Sequence, residues 1–169
     1  MKNWKYFHVS PHDLGRSVVL YPRVPTGRYI DWDGKDIEDC VTPRVCFSTS
    51  VDLALKATSS GPYNTITRFI YAIEEIASKI DCSEIIRSGQ CPNDQPDNPY
   101  NEDFWWAKYA KYHNVDFNDI SFQYECLKYC VPDALTTNEF WSLEPITIYK
   151  VGVLSKGKIT KSDFGILKK

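Results

Sequence analysis

Stretches in which apolar and polar residues alternate are short in this chain and crowd toward its two ends, and that placement narrows the folds open to it. Residues 5–10 (Lys-Tyr-Phe-His-Val-Ser) alternate and are aromatic, which reads as a strand. Residues 18–21 form a second extended run, closed by Pro22 and Pro25, and 44–48 form a compact third. Residues 65–73 mix β-branched and aromatic side chains and read as a fourth. At the other end, 139–143 and 146–154 are two more strands joined at Glu144-Pro145. Residues 51–57 have the pattern of a helix capped by Thr49 or Ser50 and stopped by Ser60-Gly61-Pro62. Residues 103–112 and 120–130 look helical by length and spacing. The sum is an α+β chain with strand-rich ends around a helical middle.

Length sets the number of domains. With 169 residues, no internal repeat and no Gly/Ser-rich linker, the expectation is one domain spanning 1–169. The charge is close to balanced, 20 Lys and Arg against 22 Asp and Glu, so nothing points to a polyanionic partner. No apolar run approaches the roughly 20 residues that cross a bilayer. The opening residues lack the apolar core of a signal peptide, which makes the cytoplasm the expected compartment. Six cysteines in such a setting are expected as reduced, small core side chains. Only Cys126 and Cys130 are closely spaced and no CxxC occurs, so no metal site is expected. Residues 26–42 are polar and acidic and read as a surface loop. Residues 90–99 carry three prolines and read as a long loop of the kind that often serves function.

Three places could carry chemistry. His8 sits in the first strand, followed by Ser10 and His12. A strand histidine is ordinarily structural, but its ring can donate from one nitrogen and accept at the other, which suits a ribose hydroxyl. Residues 46–50 (Cys-Phe-Ser-Thr-Ser) run from strand into helix. Hydroxyls there usually just cap, yet the helix start also presents backbone N–H groups to a ligand. Glu139 opens a late strand, where an acid is ordinarily an exposed edge charge. The aromatic content, 5 Trp, 11 Tyr and 8 Phe, permits stacking on a nucleotide ring without requiring it.

In this order the three places resemble the ADP-ribosyltransferase superfamily, particularly its small rifampin-modifying and polymerase-like branches. Phe7-His8-Val9-Ser10 resembles the early aromatic-His-x-Ser/Thr strand, and Cys46-Phe47-Ser48-Thr49-Ser50 the middle strand that ends in an aromatic and hydroxyls. Asn138-Glu139-Phe140-Trp141 resembles the late strand with its glutamate, and the segment from Ser142 to Val151 resembles the closing strands. The likeness covers about residues 5–57 and 136–154. The opening His-x-Ser-Pro and the central Pro-Arg-Val-Cys-Phe-Ser are also similar to small phage-encoded proteins.

The resemblance implies two small split β-sheets around a cleft that holds NAD in a bent form. It implies that His8, with Ser10 beside it, bonds a ribose hydroxyl. Phe47 would stack on the nicotinamide, and Ser48 or Thr49 would contact its ribose. Glu139 would hold a 2′-hydroxyl and stabilise the cationic sugar as nicotinamide leaves. First and last strands are therefore expected close in space, since His8 and Glu139 must share the site. Two departures bear on activity. Phe47 stands where the family commonly has Tyr, and Gln123-Tyr124-Glu125 fits the Gln-x-Glu form of toxin-like members. Glu139 is preferred because Glu125 falls in a segment read as helix, whereas the family glutamate lies on a strand. The implied activity is NAD-dependent mono-ADP-ribosyl transfer, with the acceptor unnamed and a host protein among the candidates. The alternatives are a non-catalytic phage-type protein that binds NAD or a related signalling nucleotide in the same cleft as a host-defence antagonist, or a structural or interaction protein with no ligand.

Overall fold

A computed structural model describes residues 4–26, 38–58, 66–88, 114, 128–156 and 158–161. The helices expected at 103–112 and over most of 120–130, the loop at 90–99, and Glu125 lie outside them. The described chain is mostly antiparallel sheet with few helices.

The strands are β1 (Tyr6–Ser10), β2 (Ser17–Leu20), β3 (Val45–Ser48), β4 (Arg68–Ile73), β5 (Ile80–Asp81), β6 (Glu139–Ser142), β7 (Ile146–Ser155) and β8 (Lys158–Lys161). The helices are α1 (Val51–Ala57), α2 (Cys82–Arg87) and α3 (Ala134–Thr137). The six strands legible in the sequence form within a few residues of their expected bounds. The short β5, α2 and α3 have no periodicity long enough to read, and β8 is equally short.

All eight strands belong to one sheet in the order β2-β7-β4-β1-β3-β6-β5, with β8 also on β7. The expectation of two separate sheets is corrected by this pairing, but the sheet is almost divided in the middle. β1 pairs with β4 along its whole length, from Tyr6↔Ile73 to Ser10↔Phe69, whereas it meets β3 at Phe7↔Ser48 alone. Beyond that pair the ladder between β1 and β3 is open, and the His8 ring reaches across it to a backbone carbonyl of β3.

The side-chain period of two sorts the residues about this seam. Register places Phe7, Cys46, Ser48, Glu139 and Trp141 on one face, and Tyr6, Val45, Phe47 and Phe140 on the other. The first face takes the helices: Ala54 and Leu55 of α1 pack on Val9, Ile70 and Ala72, while Cys82 and Ile86 of α2 pack with Ala134 and Trp141. The second face buries Val45, Phe47, Tyr71, Ile73 and Phe140 with Ile146 and Ile148. The helix α1 starts where its sequence says: Ser50 Oγ accepts the Leu53 N–H at 3.2 Å, Asp52 lies in the first turn and Lys56 in the last.

Candidate functional site

A cavity of about 140 Å³ lies at the seam against α1, and His8, which register places with Tyr71 on the sheet face opposite Glu139, borders it where its ring crosses to β3. Its chemistry comes from His8 of β1, Cys46 and Ser48 of β3, Glu139 of β6, Glu38 and Asp133, and its apolar wall includes Ala54, Ala57 and Val131. Residues from both ends of the chain meet here because β3 sits between β1 and β6.

Glu139 begins β6 directly after Asn138, which turns the chain through the left-handed region at φ 49°. The strand is interior, between β3 and β5, so the expectation for an acid opening a strand, an exposed edge charge, does not hold here. Glu139 is only 8% exposed. The Trp141 indole N–H donates to its Oε1 at 2.7 Å. Burial pushes its carboxyl up to about 7, with the charges of Glu38 and Asp133 adding to the rise and bonds from Trp141 and Cys46 opposing it. Near neutral pH this carboxyl is therefore poised between its two states.

His8 is half-buried and its Nδ1–H donates to the Cys46 carbonyl at 2.8 Å. A carbonyl can only accept, so Nδ1 carries the proton and Nε2 of the neutral ring is an acceptor. Burial lowers its proton affinity, the bond to Cys46 raises it, and the charge of Arg23 lowers it further; the net direction is down. His8 is thus held neutral, with one nitrogen committed to the backbone. Burial and the Glu139 charge raise the Cys46 thiol well above its ordinary value, so it is no nucleophile.

Glu38, which lines the cavity, is paired with a buried cation. Arg44 is ion-paired with Glu38, donates to the carbonyls of Asp39 (2.9 Å) and Thr42 (3.0 Å), and lies over the Trp141 ring with its guanidinium carbon 3.9 Å from the centroid. The Asp39 carboxylate accepts N–H bonds from Val41, Thr42 and Tyr129. Burial works to raise that carboxyl, but the Thr42 hydroxyl and these N–H groups outweigh it and hold it below its usual range. Glu38 and Asp39 are 6% and 1% exposed. The surface-loop reading of 26–42 is therefore corrected for this end of it: the acids turn inward because Arg44 needs them.

Of the residues expected at the site, the fold brings His8, Ser48 and Glu139 onto one cavity. Phe47 borders it but is 2% exposed, with its ring edge-on to Tyr6 (centroids 5.3 Å) and stacked on Phe140 (6.0 Å, 16°). The face expected to stack on nicotinamide is taken up within the core. Ser10 is buried away from the cavity and its Oγ accepts the His12 N–H at 3.0 Å, closing the turn. Thr49 is exposed, and its hydroxyl accepts from Asn138 Nδ2 at 2.7 Å, which ties the start of α1 to the turn before Glu139. Neither residue lines the cavity, and both hydroxyls are engaged in contacts at turns. Sequence reasoning missed Trp141, Arg44, Glu38 and Asp133. Trp141 had a readable signal, since a period of two puts it on the face of Glu139. Arg44 had one too, a charge at the head of an apolar strand.

Among the described residues no three His, Cys, Asp or Glu side chains are grouped to hold a metal ion, and no helix is long and apolar enough to cross a membrane. Comparison with family models, curated proteins and solved structures gives no match to this chain.

Proposed function

We propose that this cavity receives the ribosyl end of NAD and that the protein is a mono-ADP-ribosyltransferase. The observation that carries the reading is that His8, Ser48 and Glu139, from three strands distant in sequence, line one cavity at the seam of the sheet. At about 140 Å³ it lies below the roughly 300–1,000 Å³ of a pocket that encloses a whole drug-sized ligand. It takes one ring or sugar, and the rest of the dinucleotide lies outside. His8 Nε2 accepts from a ribose hydroxyl, and Ser48 donates or accepts beside it. As the glycosidic bond breaks, nicotinamide leaves with the bonding electron pair and positive charge develops on the sugar. The Glu139 carboxylate, in its ionised form, stabilises that charge in a site of low dielectric. A single such interaction is worth about 3–4 kcal/mol.

The burial of Phe47 favours a second reading, in which the cleft binds NAD or a related nucleotide without cleaving it. One experiment separates the two. Incubation with NAD labelled in the adenosine half, with and without a cell extract, gives labelled macromolecule or free nicotinamide if the site is catalytic. Binding with neither product selects the binder, and absence of binding rejects both.

A further inference from the structure

Trp141 heads the fully buried side chains by size and lies two residues beyond Glu139 on β6, so the two side chains share a face. Its N–H to Glu139 Oε1 bond is 2.7 Å and buried. The indole is itself held: Tyr129 meets it edge-on at 6.2 Å, and the Arg44 guanidinium lies over it at 3.9 Å. Each of these holders is fixed by Asp39, which accepts the Tyr129 N–H and whose carbonyl accepts from Arg44. A buried ring with this many anchors places its N–H at one point. An indole N–H only donates, and it bonds more strongly to a carboxylate than to a carboxylic acid.

We propose that Trp141 is the positioning residue of Glu139, fixing its carboxyl group at Oε1 toward the work of the cavity, with Arg44 stacked on the indole to hold it in place. The inference rests on Glu139 being the working carboxyl of the site, as read above, but its readout needs neither NAD nor turnover. Among the described residues, the other titratable groups acting on Glu139 or lining the same cavity are Cys46 on β3, Glu38 ahead of it, Asp133 ahead of α3, and His8; Arg44 lies over the Trp141 ring that bonds Glu139.

The test is the pH dependence of the Trp141 Nε1–H resonance, followed by nitrogen–proton NMR from roughly pH 5 to 9. It moves downfield as Glu139 ionises, with a midpoint near 7, and the movement is absent in Glu139→Gln. In Trp141→Phe, which keeps a ring and loses the donor, the carbon-detected midpoint of Glu139 rises by about one pH unit. Arg44→Lys, which keeps the cation and loses the planar face, raises it by less. A flat indole resonance across this range, or a Glu139 midpoint unchanged in a folded Trp141→Phe, overturns the proposal and leaves Trp141 a core residue. An unmoved midpoint in Arg44→Lys overturns the part given to Arg44. If Trp141→Phe does not fold, the wild-type and Glu139→Gln spectra decide alone. NAD binding measured on the same samples keeps the two readings apart: binding with a flat resonance rejects the positioning role only, and a moving resonance without binding rejects the nucleotide only.

Discussion

Glu139 costs this fold stability in the form its proposed chemistry needs. Its carboxyl is raised from 4.5 to about 7, so between those values the native chain holds a proton that the unfolded chain has released. The sign follows: stability falls as pH rises through that window, by at most about 3 kcal/mol for this group. His8 acts in the opposite sense. Its lowered proton affinity favours the neutral native ring, so its contribution is full above 6.5 and is lost as pH falls below that value. Glu139→Gln keeps an acceptor for the Trp141 N–H and removes the buried charge. We expect it to unfold at higher urea than the wild type at pH 8, with the difference shrinking toward pH 5. Parallel stability curves for the two proteins would show that the carboxyl does not titrate in this window. For catalysis the dependence is reversed: turnover of NAD should rise with pH along a limb centred near 7, because only the carboxylate stabilises the cationic sugar.

Among the elements, residues of the cavity wall are held by ionic contacts at Glu38 and by aromatic contacts at Phe47. Arg44 has no exposed side-chain surface and faces Glu38 and Asp39. Removing it leaves buried carboxylates without their cation, so Arg44→Met should cost about 3–5 kcal/mol in chemical denaturation. Phe47→Ala should cost a similar 3–5 kcal/mol as a core truncation between Tyr6 and Phe140. A loss near zero would mean that the ring is not packed as described. Ser50→Ala removes the N-cap of α1, with an expected cost of about 1 kcal/mol. These elements also show where the sequence was legible. The strands β1, β3, β6 and β7 and the helix α1 follow from alternation, turn residues and a cap. That the strands form one sheet, joined between β1 and β3 at Phe7↔Ser48, is not legible, because strand order and register depend on contacts between distant segments. The burial of Phe47 is illegible for the same reason. Its neighbours Tyr6 and Phe140 come from other strands, and no local pattern says that they occupy its ring. The acids at 38 and 39 read as loop charges because no local pattern pairs them with Arg44, their partner in the fold.

For the whole molecule, the meeting of His8 and Glu139 was anticipated on the strength of resemblance, and the topology supplies its physical basis: β3 pairs with β1 at a single point and with β6 along its length. That arrangement leaves the ladder between β1 and β3 open beside the cavity, which a poised acid and a neutral histidine both line. Ligand sites favour such breaks, where backbone and side chains converge on space that the core does not fill. The measurement that bears most directly on the reading of this opening is the melting midpoint of the wild-type protein as NAD is added. A ligand bound only by the folded chain, at 100 times its dissociation constant, stabilises it by about 2.7 kcal/mol, and the midpoint should rise by several degrees in a protein of this size. A midpoint that stays in place with NAD at millimolar concentration would contradict the account, and His8, Ser48 and Glu139 would then be parts of the fold alone.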